Sequence, residues 1–234
     1  MRRRFRSGIS SSSGLGLSSF SQDDLDSIHY ATLQILQNTG IKVMNEQALE
    51  VYYSGGAVVE RHDGYGIVKL PPHLVEDSAY FTPHTMVYQA RNPEDDFIVE
   101  PNRVGFATFG GCINVVDVYT RKIRRATKKD CGELIRVCDA LSEIGVATRS
   151  VNSTDVMAKA QSLHNLDAML HNTGKHIVLG ADSVVSLEAM VELASASVGG
   201  RDVFEKRPIF SVSVCPISPL TLGDSACEVI MACA

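Results

Sequence analysis

The sequence contains no tryptophan, and aromatic side chains make up only 6% of its 234 residues. Tryptophan offers the strongest aromatic face for holding a cation, so any such contact must use one of the eight phenylalanines or seven tyrosines. Long apolar runs are also missing, because no window approaches the roughly 18 apolar residues of a membrane span. The pattern predicts a soluble protein without a membrane partner.

The sequence also lacks an excess of basic charge. Lysine and arginine number 22 against 27 aspartates and glutamates, which gives a net charge of −5. Proteins bind duplex nucleic acid mainly through basic surfaces that face its phosphates, so this balance argues against a nucleic-acid partner. With 44% hydrophobic and 21% charged residues, the chain can bury a sizeable core in one or two domains.

The six cysteines form no C-x-x-C pair, which is the spacing that zinc knuckles and dithiol redox motifs need. We therefore predict reduced thiols buried in the core of a cytoplasmic protein, Cys215 among them. His164 and His171 lie seven residues apart and share a face of one predicted helix. Two histidines without a third ligand do not make a metal site, and no metal is predicted.

The first twenty residues, MRRRFRSGISSSSGLGLSSF, lack the continuous apolar stretch of an export signal. Their composition predicts a flexible basic tail over residues 1–20, either solvated or in contact with an acidic partner.

Residues 21–103 are predicted to form a small α+β domain. Its first helix begins at an N-cap, Ser21, and ends at Gly40. One face of this helix is apolar: Leu25, Ile28, Leu33 and Leu36. A short strand, a helix capped by Asn45, a hairpin with an Asp-Gly turn and a short helix in PPHLVEDSAYFTP follow.

Residues 104–234 alternate short apolar strands with amphipathic helices of ten to twenty residues. The strand segments are VGFATFG, GVATRSV, HIVLGA and IFSVSV. This alternation predicts four βα units with a parallel sheet and right-handed crossovers. INVVDVYTRKIRRAT, which follows the first strand, is predicted to be an inserted β-hairpin.

Two architectures fit four βα units. A doubly wound domain usually has a phosphate-binding loop after its first strand, but FATFGGCINVV has neither G-x-G-x-x-G nor a Lys-Ser/Thr pair. The other architecture is a (β/α)₈ barrel, which needs about 250 residues, so that residues 104–234 have room for the first half only.

Five segments resemble the N-terminal half of the trimethylamine:corrinoid methyltransferase family. They are IHYATLQILQNTGIKV, GIVKLPPHLVEDS, FATFGG, NTGKHI and, most specifically, RPIFSVSVCPISPLTLGDSACEVI. The resemblance runs from about Ser21 to the last residue. It implies a (β/α)₈ barrel preceded by a small N-terminal domain, in proteins about twice as long as this chain.

The resemblance further implies transfer of a methyl group from a tertiary or quaternary amine to the Co(I) of a separate corrinoid protein. Both trimethylamine enzymes, which carry pyrrolysine, and relatives that act on glycine betaine belong to the family, and the pyrrolysine position falls in the C-terminal half. HDGYG and DAMLHNTG both fail the Asp-x-His-x-x-Gly spacing of proteins that bind a corrinoid through histidine. We therefore expect no directly bound cofactor, a corrinoid protein as partner, and a homo-oligomer.

Chemistry in a barrel takes place at the carboxyl ends of the strands. Four stretches occupy these ends: 109–112, 149–152, 180–182 and 215–218. The predicted substrate-binding residues are Phe109, Gly110, Gly111, Arg149, Asn152 and Ser218, and the catalytic residues stay unknown.

Each of these residues also has a structural interpretation. The first strand offers two phenylalanines, Phe106 and Phe109, and Phe109 is either a cation-binding ring or part of the core. Arg149 pairs either with a substrate carboxylate, as a betaine would require, or with a structural acid such as Asp155. Asp182 and Ser183 are predicted to cap the third helix of the sheet.

The final segment, GDSACEVIMACA, predicts a helix that opens at an Asp or Ser N-cap and has no stop signal. We expect the sequence to be a truncated half-barrel. This leaves a second functional hypothesis, in which the half-barrel is catalytically inactive and acts only in assembly or interaction through its open sheet edges.

Overall fold

The computed structural model describes residues 9–10, 19–101 and 103–234. These residues divide into two units, each with its own hydrophobic core. The parallel-sheet unit contains residues 84–213 together with 9–10, and the mixed-sheet unit contains residues 19–83 together with 214–234. The sequence placed a boundary near residue 103, whereas the structure divides the chain after Pro83 and returns it to the mixed-sheet unit at Val214.

The described residues contain fourteen strands and eight α-helices. The strands are β1 (Ile9–Ser10), β2 (Ile41–Val43), β3 (Val58–His62), β4 (Tyr65–Lys69), β5 (Met86–Tyr88), β6 (Phe97–Val99), β7 (Arg103–Val104), β8 (Phe106–Ala107), β9 (Asn114–Val116), β10 (Ile123–Arg125), β11 (Ile144–Thr148), β12 (His176–Leu179), β13 (Phe210–Val212) and β14 (Thr221–Leu222). The helices are α1 (Gln22–Gln34), α2 (Glu46–Ser54), α3 (Pro72–Phe81), α4 (Lys128–Ala140), α5 (Gln161–Leu170), α6 (Val184–Val198), α7 (Arg201–Lys206) and α8 (Asp224–Cys233).

The predicted flexible tail, residues 1–20, lies mostly outside the described residues. Where it is described, Ile9 and Ser10 form β1, which pairs with β7 in antiparallel register. None of the helices in the described part of the chain combines the length and apolarity needed to cross a membrane.

The mixed-sheet unit is a four-stranded sheet in the order β14, β2, β4, β3 with helices α1, α2, α3 and α8. Ser21 caps α1 and Asn45 caps α2, as their positions before acidic or apolar runs predict. A π-helical turn, Ile35–Thr39, extends α1 to Gly40. There φ is +74° and a Cβ would lie 2.5 Å from the Val68 carbonyl oxygen, so only glycine fits.

The apolar face predicted for α1 is largely exposed. Leu33 is the helix residue that is buried, while Leu25 and Ile28 are 48% and 54% exposed. Amphipathic spacing identifies a face that needs a partner, but it does not supply one.

The parallel-sheet unit is built on four parallel strands in the order β13, β12, β11, β8. Helices α4, α5 and α6 connect successive strands, and β9 with β10 forms the predicted hairpin between β8 and α4. The α/β class is therefore confirmed. A short helix that the sequence did not predict, α7, follows Gly200.

The fourth predicted βα unit differs from the expectation. After β13 the chain forms β14, which pairs with β2, and α8 packs its buried Cys227 into the core of the mixed-sheet unit. Gly223 is the N-cap of α8, so the predicted Asp or Ser cap is wrong; Asp224 instead accepts a hydrogen bond from Asn45 Nδ2 at 2.7 Å.

The amino ends of the parallel strands are covered by the hairpin of β5 and β6, which we name the closing hairpin. The ring of Phe97 lies where a Cβ on Gly105 or Gly145 would stand, at 2.0 Å and 2.2 Å. Both glycines lie at strand starts, so the ring packs directly on the backbone of β8 and β11.

Polar contacts attach the closing hairpin to the other two strands. Asp96 pairs with Arg207, three residues before β13, and accepts a hydrogen bond from the Ala90 N–H at 2.8 Å. His176, the first residue of β12, is 2% exposed and stacks on Tyr88 at 4.6 Å between ring centroids. The hairpin thus touches the amino end of every strand in this sheet.

The His176 ring forms two hydrogen bonds, with the Gln89 carbonyl oxygen through Nδ1 and with Ser211 Oγ through Nε2, both at 2.8 Å. Nδ1–H must donate to the carbonyl, which leaves Nε2 free to accept from the hydroxyl of Ser211 in the neutral form. Burial lowers the pKa of His176, partly offset by the Gln89 carbonyl and by Asp96.

We expect His176 to make the protein less stable in mild acid. Because the folded-state pKa is depressed, the unfolded chain binds the extra proton first, and the free energy of unfolding falls as pH drops below the ordinary histidine value of about 6.5. Urea titrations between about pH 7.5 and about pH 5.5 measure this slope. His176→Asn should flatten it relative to the exposed control His84→Asn; equal slopes in the two variants would contradict the assignment.

Candidate functional site

The carboxyl ends of β8 and β11 continue to pair beyond the strands themselves. Thr108 Oγ1 donates to the Thr148 carbonyl oxygen at 2.6 Å and accepts from the Thr148 N–H at 2.9 Å. A side-chain hydroxyl thereby replaces a peptide group in the ladder. Because the closing hairpin covers the amino ends, this opposite edge of the sheet is the candidate site.

Beyond Thr108, two loops are clamped together at a single carbonyl. The N–H groups of Gly111 and Cys112 both donate to the Ser150 carbonyl oxygen, at 3.0 Å and 3.2 Å. A Cβ on Gly110 would lie 2.2 Å from that same oxygen, and Gly111 has a φ of +92°. We name Gly110, Gly111, Cys112 and Ser150 the glycine clamp. The two adjacent glycines are therefore required for close backbone approach.

Asn152 fastens the clamp from the other side. Its N–H donates to the Cys112 carbonyl oxygen at 2.8 Å and its Nδ2 donates to the Gly111 carbonyl oxygen at 2.9 Å. Asn152 Oδ1 is buried and finds no hydrogen-bond donor among the described residues. The side-chain nitrogen of Asn152 therefore has a structural role, while its side-chain oxygen is available to accept from a ligand or a water molecule.

Arg149 lies directly against the clamp. Its guanidinium Nη2 would be 3.1 Å from a Cβ on Gly111, so the glycine leaves room for it. Its Nε is buried and has no acceptor within the described ranges. A buried guanidinium N–H without an acceptor is costly in an isolated protein, which makes it a candidate contact for an anionic group.

The structure does not contain the pairing of Arg149 with Asp155 that was the example of a structural partner. Asp155 accepts the Lys128 N–H at 2.8 Å at the start of α4, and no ion pair between Asp155 and Arg149 is found among the described residues. Arg149 is half-buried, and Cys131 lies close enough for the charge of Arg149 to act on its thiol. Burial raises the pKa of Cys131 to about 11, although the positive charge of Arg149 acts in the opposite direction.

The polar layer next to this edge was missed by sequence reasoning. Asn165, fully buried on α5, accepts from the N–H and Oγ of Ser153 at 3.0 Å and 2.6 Å. Ser162 Oγ donates to Asp182 Oδ2 at 2.5 Å. Positions 162, 165, 166 and 169 have the spacing of one helix face, and this face carries two polar residues; that pattern was the available signal.

The remaining predicted residues have different surroundings. Phe109 is 92% exposed, so its core-packing interpretation is wrong, and Phe106 is 55% exposed. Ser183 caps α6 as expected, whereas Asp182 contacts Ser162 instead of capping. Ser218 belongs to the mixed-sheet unit, in the turn bounded by the Ile217 and Thr221 bridge, and is not part of the glycine clamp.

Three of the six cysteines are buried: Cys131, Cys138 and Cys227. Cys112, Cys215 and Cys233 are exposed, so the prediction that all six thiols are buried is wrong. Two of the exposed thiols, Cys112 and Cys215, follow strands β8 and β13. The apolar sequence pattern continues at these positions, but the side chains are no longer buried there.

His171, the C-cap of α5, lines a surface groove of about 590 Å³ between α4 and α5, whereas His164 lies within α5. His164 Nδ1 lies 3.3 Å from Lys128 Nζ, and His171 lies 3.3 Å from Asp167. Among the described residues no group of three or more His, Cys, Asp or Glu side chains is arranged to hold a metal ion.

Comparison with known proteins identifies a family. Residues 14–234 match the family model described as Trimethylamine methyltransferase (MTTB). Trimethylamine methyltransferase MttB of Desulfitobacterium hafniense is 35% identical over 231 residues, which cover 99% of this chain and 46% of that protein. Its counterpart in Methanosarcina barkeri is 29% identical over 229 residues, with 96% and 46% coverage.

A glycine betaine methyltransferase from another strain of Desulfitobacterium hafniense is 24% identical over 212 residues, covering 90% of this chain and 43% of that protein. The chain therefore spans about half the length of the curated relatives it matches.

Proposed function

Because the chain belongs to the trimethylamine methyltransferase family, we propose that the protein transfers a methyl group from a tertiary or quaternary methylamine to the Co(I) of a separate corrinoid protein. The names of the relatives support methylated amines as the substrate class, with trimethylamine and glycine betaine as the two candidates. The corrinoid acceptor is a substrate delivered by a partner.

We further propose that β8, β11, β12 and β13 are four consecutive strands of a (β/α)₈ barrel. Their spatial order follows the chain order without reversal, whereas a doubly wound sheet reverses its order at the ligand site. The closing hairpin at the amino ends supports the same assignment, because it leaves the carboxyl ends as the edge open to ligands.

The reaction sets clear demands on such a site. Cobalt supplies the electron pair of the new Co–CH₃ bond, the N–CH₃ bond breaks, and nitrogen keeps the electron pair of the broken bond. A quaternary amine then leaves as a neutral tertiary amine, while trimethylamine must first be protonated or bound to an electrophile. The site must hold a cation or adduct, exclude water and admit the corrin face in line with the N–CH₃ bond.

The observation that carries the proposal is the buried, unpaired Nε of Arg149 beside the glycine clamp. Its guanidinium would bind the carboxylate of a betaine-type substrate, because a charge-assisted pair at a partly buried site is strong and directional. Asn152 would fix the loop that places this guanidinium. The exposed ring of Phe109 is the candidate aromatic face for the methylammonium group.

The test is a methyl-transfer assay with the native-length protein and its corrinoid protein reduced to Co(I). Trimethylamine and glycine betaine are supplied separately, and the visible spectrum reports conversion of Co(I) to methyl-Co(III). We expect conversion that requires the protein, the corrinoid protein and one of the amines. Reactions that lack one component are the controls. Absence of conversion with both amines would overturn the proposal in favour of a role in assembly or interaction.

A further inference from the structure

A buried side chain of α5 holds the loop that follows β11. Asn165, in the second turn of α5, and Ser153, in that loop, are both 0% exposed. Asn165 Oδ1 accepts from the N–H of Ser153 at 3.0 Å and from its Oγ at 2.6 Å. Because an N–H group can only donate, the oxygen of the Asn165 amide must face Ser153. The amide nitrogen Nδ2 is buried and finds no acceptor among the described residues, so the contact uses only the acceptor of this side chain.

Helix α5 also binds the other side of Ser153. Gln161, its first residue, donates from Nε2 to the Ser153 carbonyl oxygen at 2.8 Å. Two side chains of one helix therefore pair with both backbone polar groups of Ser153 and with its hydroxyl. Burying any of these groups without a partner costs free energy, so Ser153 has one favourable position against α5.

The residue before Ser153 is bound to the glycine clamp instead. The Asn152 N–H donates to the Cys112 carbonyl oxygen, and Asn152 Nδ2 donates to the Gly111 carbonyl oxygen. Two consecutive residues thus join two elements, because Asn152 binds the clamp and Ser153 binds the helix. The peptide bond between them is planar and leaves only two soft dihedral angles per residue, so a shift of Ser153 displaces Asn152 as well.

We propose that Asn165 is a positioning residue of the candidate site: through Ser153 and Asn152 it sets the position of the glycine clamp. The guanidinium of Arg149 lies against this clamp, with Nη2 3.1 Å from where a Cβ on Gly111 would be. The step to the substrate rests on the proposed function, in which Arg149 binds the carboxylate of a betaine. Misplacing a binding group by about 1 Å lowers activity up to about a hundredfold, so Asn165 affects the binding of a carboxylate that it does not touch.

Hydrogen exchange in the native-length protein tests the positioning without any methyl transfer. Asn165→Ala removes the acceptor, so the amides of Gly111, Cys112 and Asn152 should exchange about tenfold faster or more, as measured by mass spectrometry of their peptides. Leu166→Ala is the matched control, because Leu166 is the next residue of α5, is also 0% exposed, and has an apolar side chain that packs in the core. It removes more side-chain volume, yet exchange at the same three amides should stay within about threefold of the wild type.

The conservative variant Asn165→Asp separates positioning from packing. It keeps an oxygen that accepts from Ser153 and replaces an Nδ2 that has no acceptor in the described part of the chain, so exchange should return to within about threefold of the wild type. Ser153→Ala is a second, milder probe, which should accelerate exchange about threefold or more and which applies even if Asn165→Ala fails to fold. Both alanine substitutions together should exchange within about threefold of Asn165→Ala alone, because they remove one shared contact.

Steady-state kinetics tests the consequence for the substrate. Asn165→Ala should raise KM for glycine betaine about tenfold and KM for trimethylamine by less than about threefold, because only the betaine has a carboxylate. Leu166→Ala should change neither KM. Equal rises in KM for the two amines in Asn165→Ala would overturn the inferred link to Arg149.

The exchange data and the kinetic data fail separately. Unchanged exchange in Asn165→Ala and Ser153→Ala, equally fast exchange in Leu166→Ala, or an Asn165→Asp variant as fast as Asn165→Ala would each overturn the inference, whether or not the protein transfers methyl groups. The expected exchange in all variants, combined with no methyl transfer by the wild type, would overturn the proposed function alone and leave Asn165 as the residue that positions the clamp.

Discussion

Replacing Gly110 with alanine is expected to destabilise the protein by about 3 kcal/mol and to abolish binding at the carboxyl edge of the sheet. The new methyl group would lie 2.2 Å from the Ser150 carbonyl oxygen. That oxygen is backbone and cannot rotate away, so the two loops must separate. The hydrogen bonds from Gly111 and Cys112 to the same oxygen are then lost.

The sheet provides a matched control for this substitution. Gly180 follows β12 at the same edge, but a Cβ there would meet its nearest atom, the Ser213 carbonyl oxygen, at 3.5 Å, an ordinary contact. Urea unfolding of both variants measures the difference, and Gly180→Ala should lie within about 1 kcal/mol of the wild type. Equal destabilisation by the two substitutions would show that the clamp is not the cause.

Replacing Arg149 with methionine is expected to raise KM for glycine betaine about 100-fold, if the proposed methyl transfer is established. Loss of a charge-assisted hydrogen bond in a buried site costs roughly 3 kcal/mol, which corresponds to about two factors of ten. Trimethylamine has no carboxylate, so its KM should change by less than about threefold. Steady-state kinetics with the two amines separate these outcomes.

Two further variants distinguish a substrate-binding role of Arg149 from a structural role. Arg149→Lys keeps the charge but loses the planar fork, so it should recover only part of the betaine affinity. Arg136→Met removes an exposed arginine from α4 and should change neither KM. A similar loss of activity with both amines in Arg149→Met, together with a lower urea midpoint, would contradict the carboxylate role and indicate a structural one.

Local features of the fold were predictable because they depend on neighbours in sequence. The caps at Ser21, Asn45 and Ser183 are each formed by one side chain and the N–H group three residues later. The hairpin of β9 and β10 and the succession of parallel strands follow from apolar periodicity. Four of the six predicted site residues lie at or beside the glycine clamp for the same reason, since carboxyl ends of parallel strands share an edge.

The failures all concern which partner an element packs against. Helix α8 was predicted correctly as a helix, yet it packs in the core of the mixed-sheet unit because the two strand residues before it pair with β2. The exposure of Leu25 and of Cys112 is equally invisible in a pattern of residue types. Ser218 was placed with the strand ends by counting from β13, but the chain has changed units by Val214. Such long-range pairings are not encoded in local spacing.

The pairing of β14 with β2 also determines when the mixed sheet can be completed during synthesis of the chain. Thr221 meets Lys42 and Leu222 meets Val43, so β2 waits for a partner that lies roughly 180 residues later in the chain. At a ribosomal rate of about 5–20 residues per second, β14 emerges some 10–35 s after β2 has been made. During that interval one edge of the first sheet to be synthesised has unpaired N–H and C=O groups, which a nascent chain must keep from other strands. The intervening residues of the parallel-sheet unit, by contrast, are all present before this edge is covered.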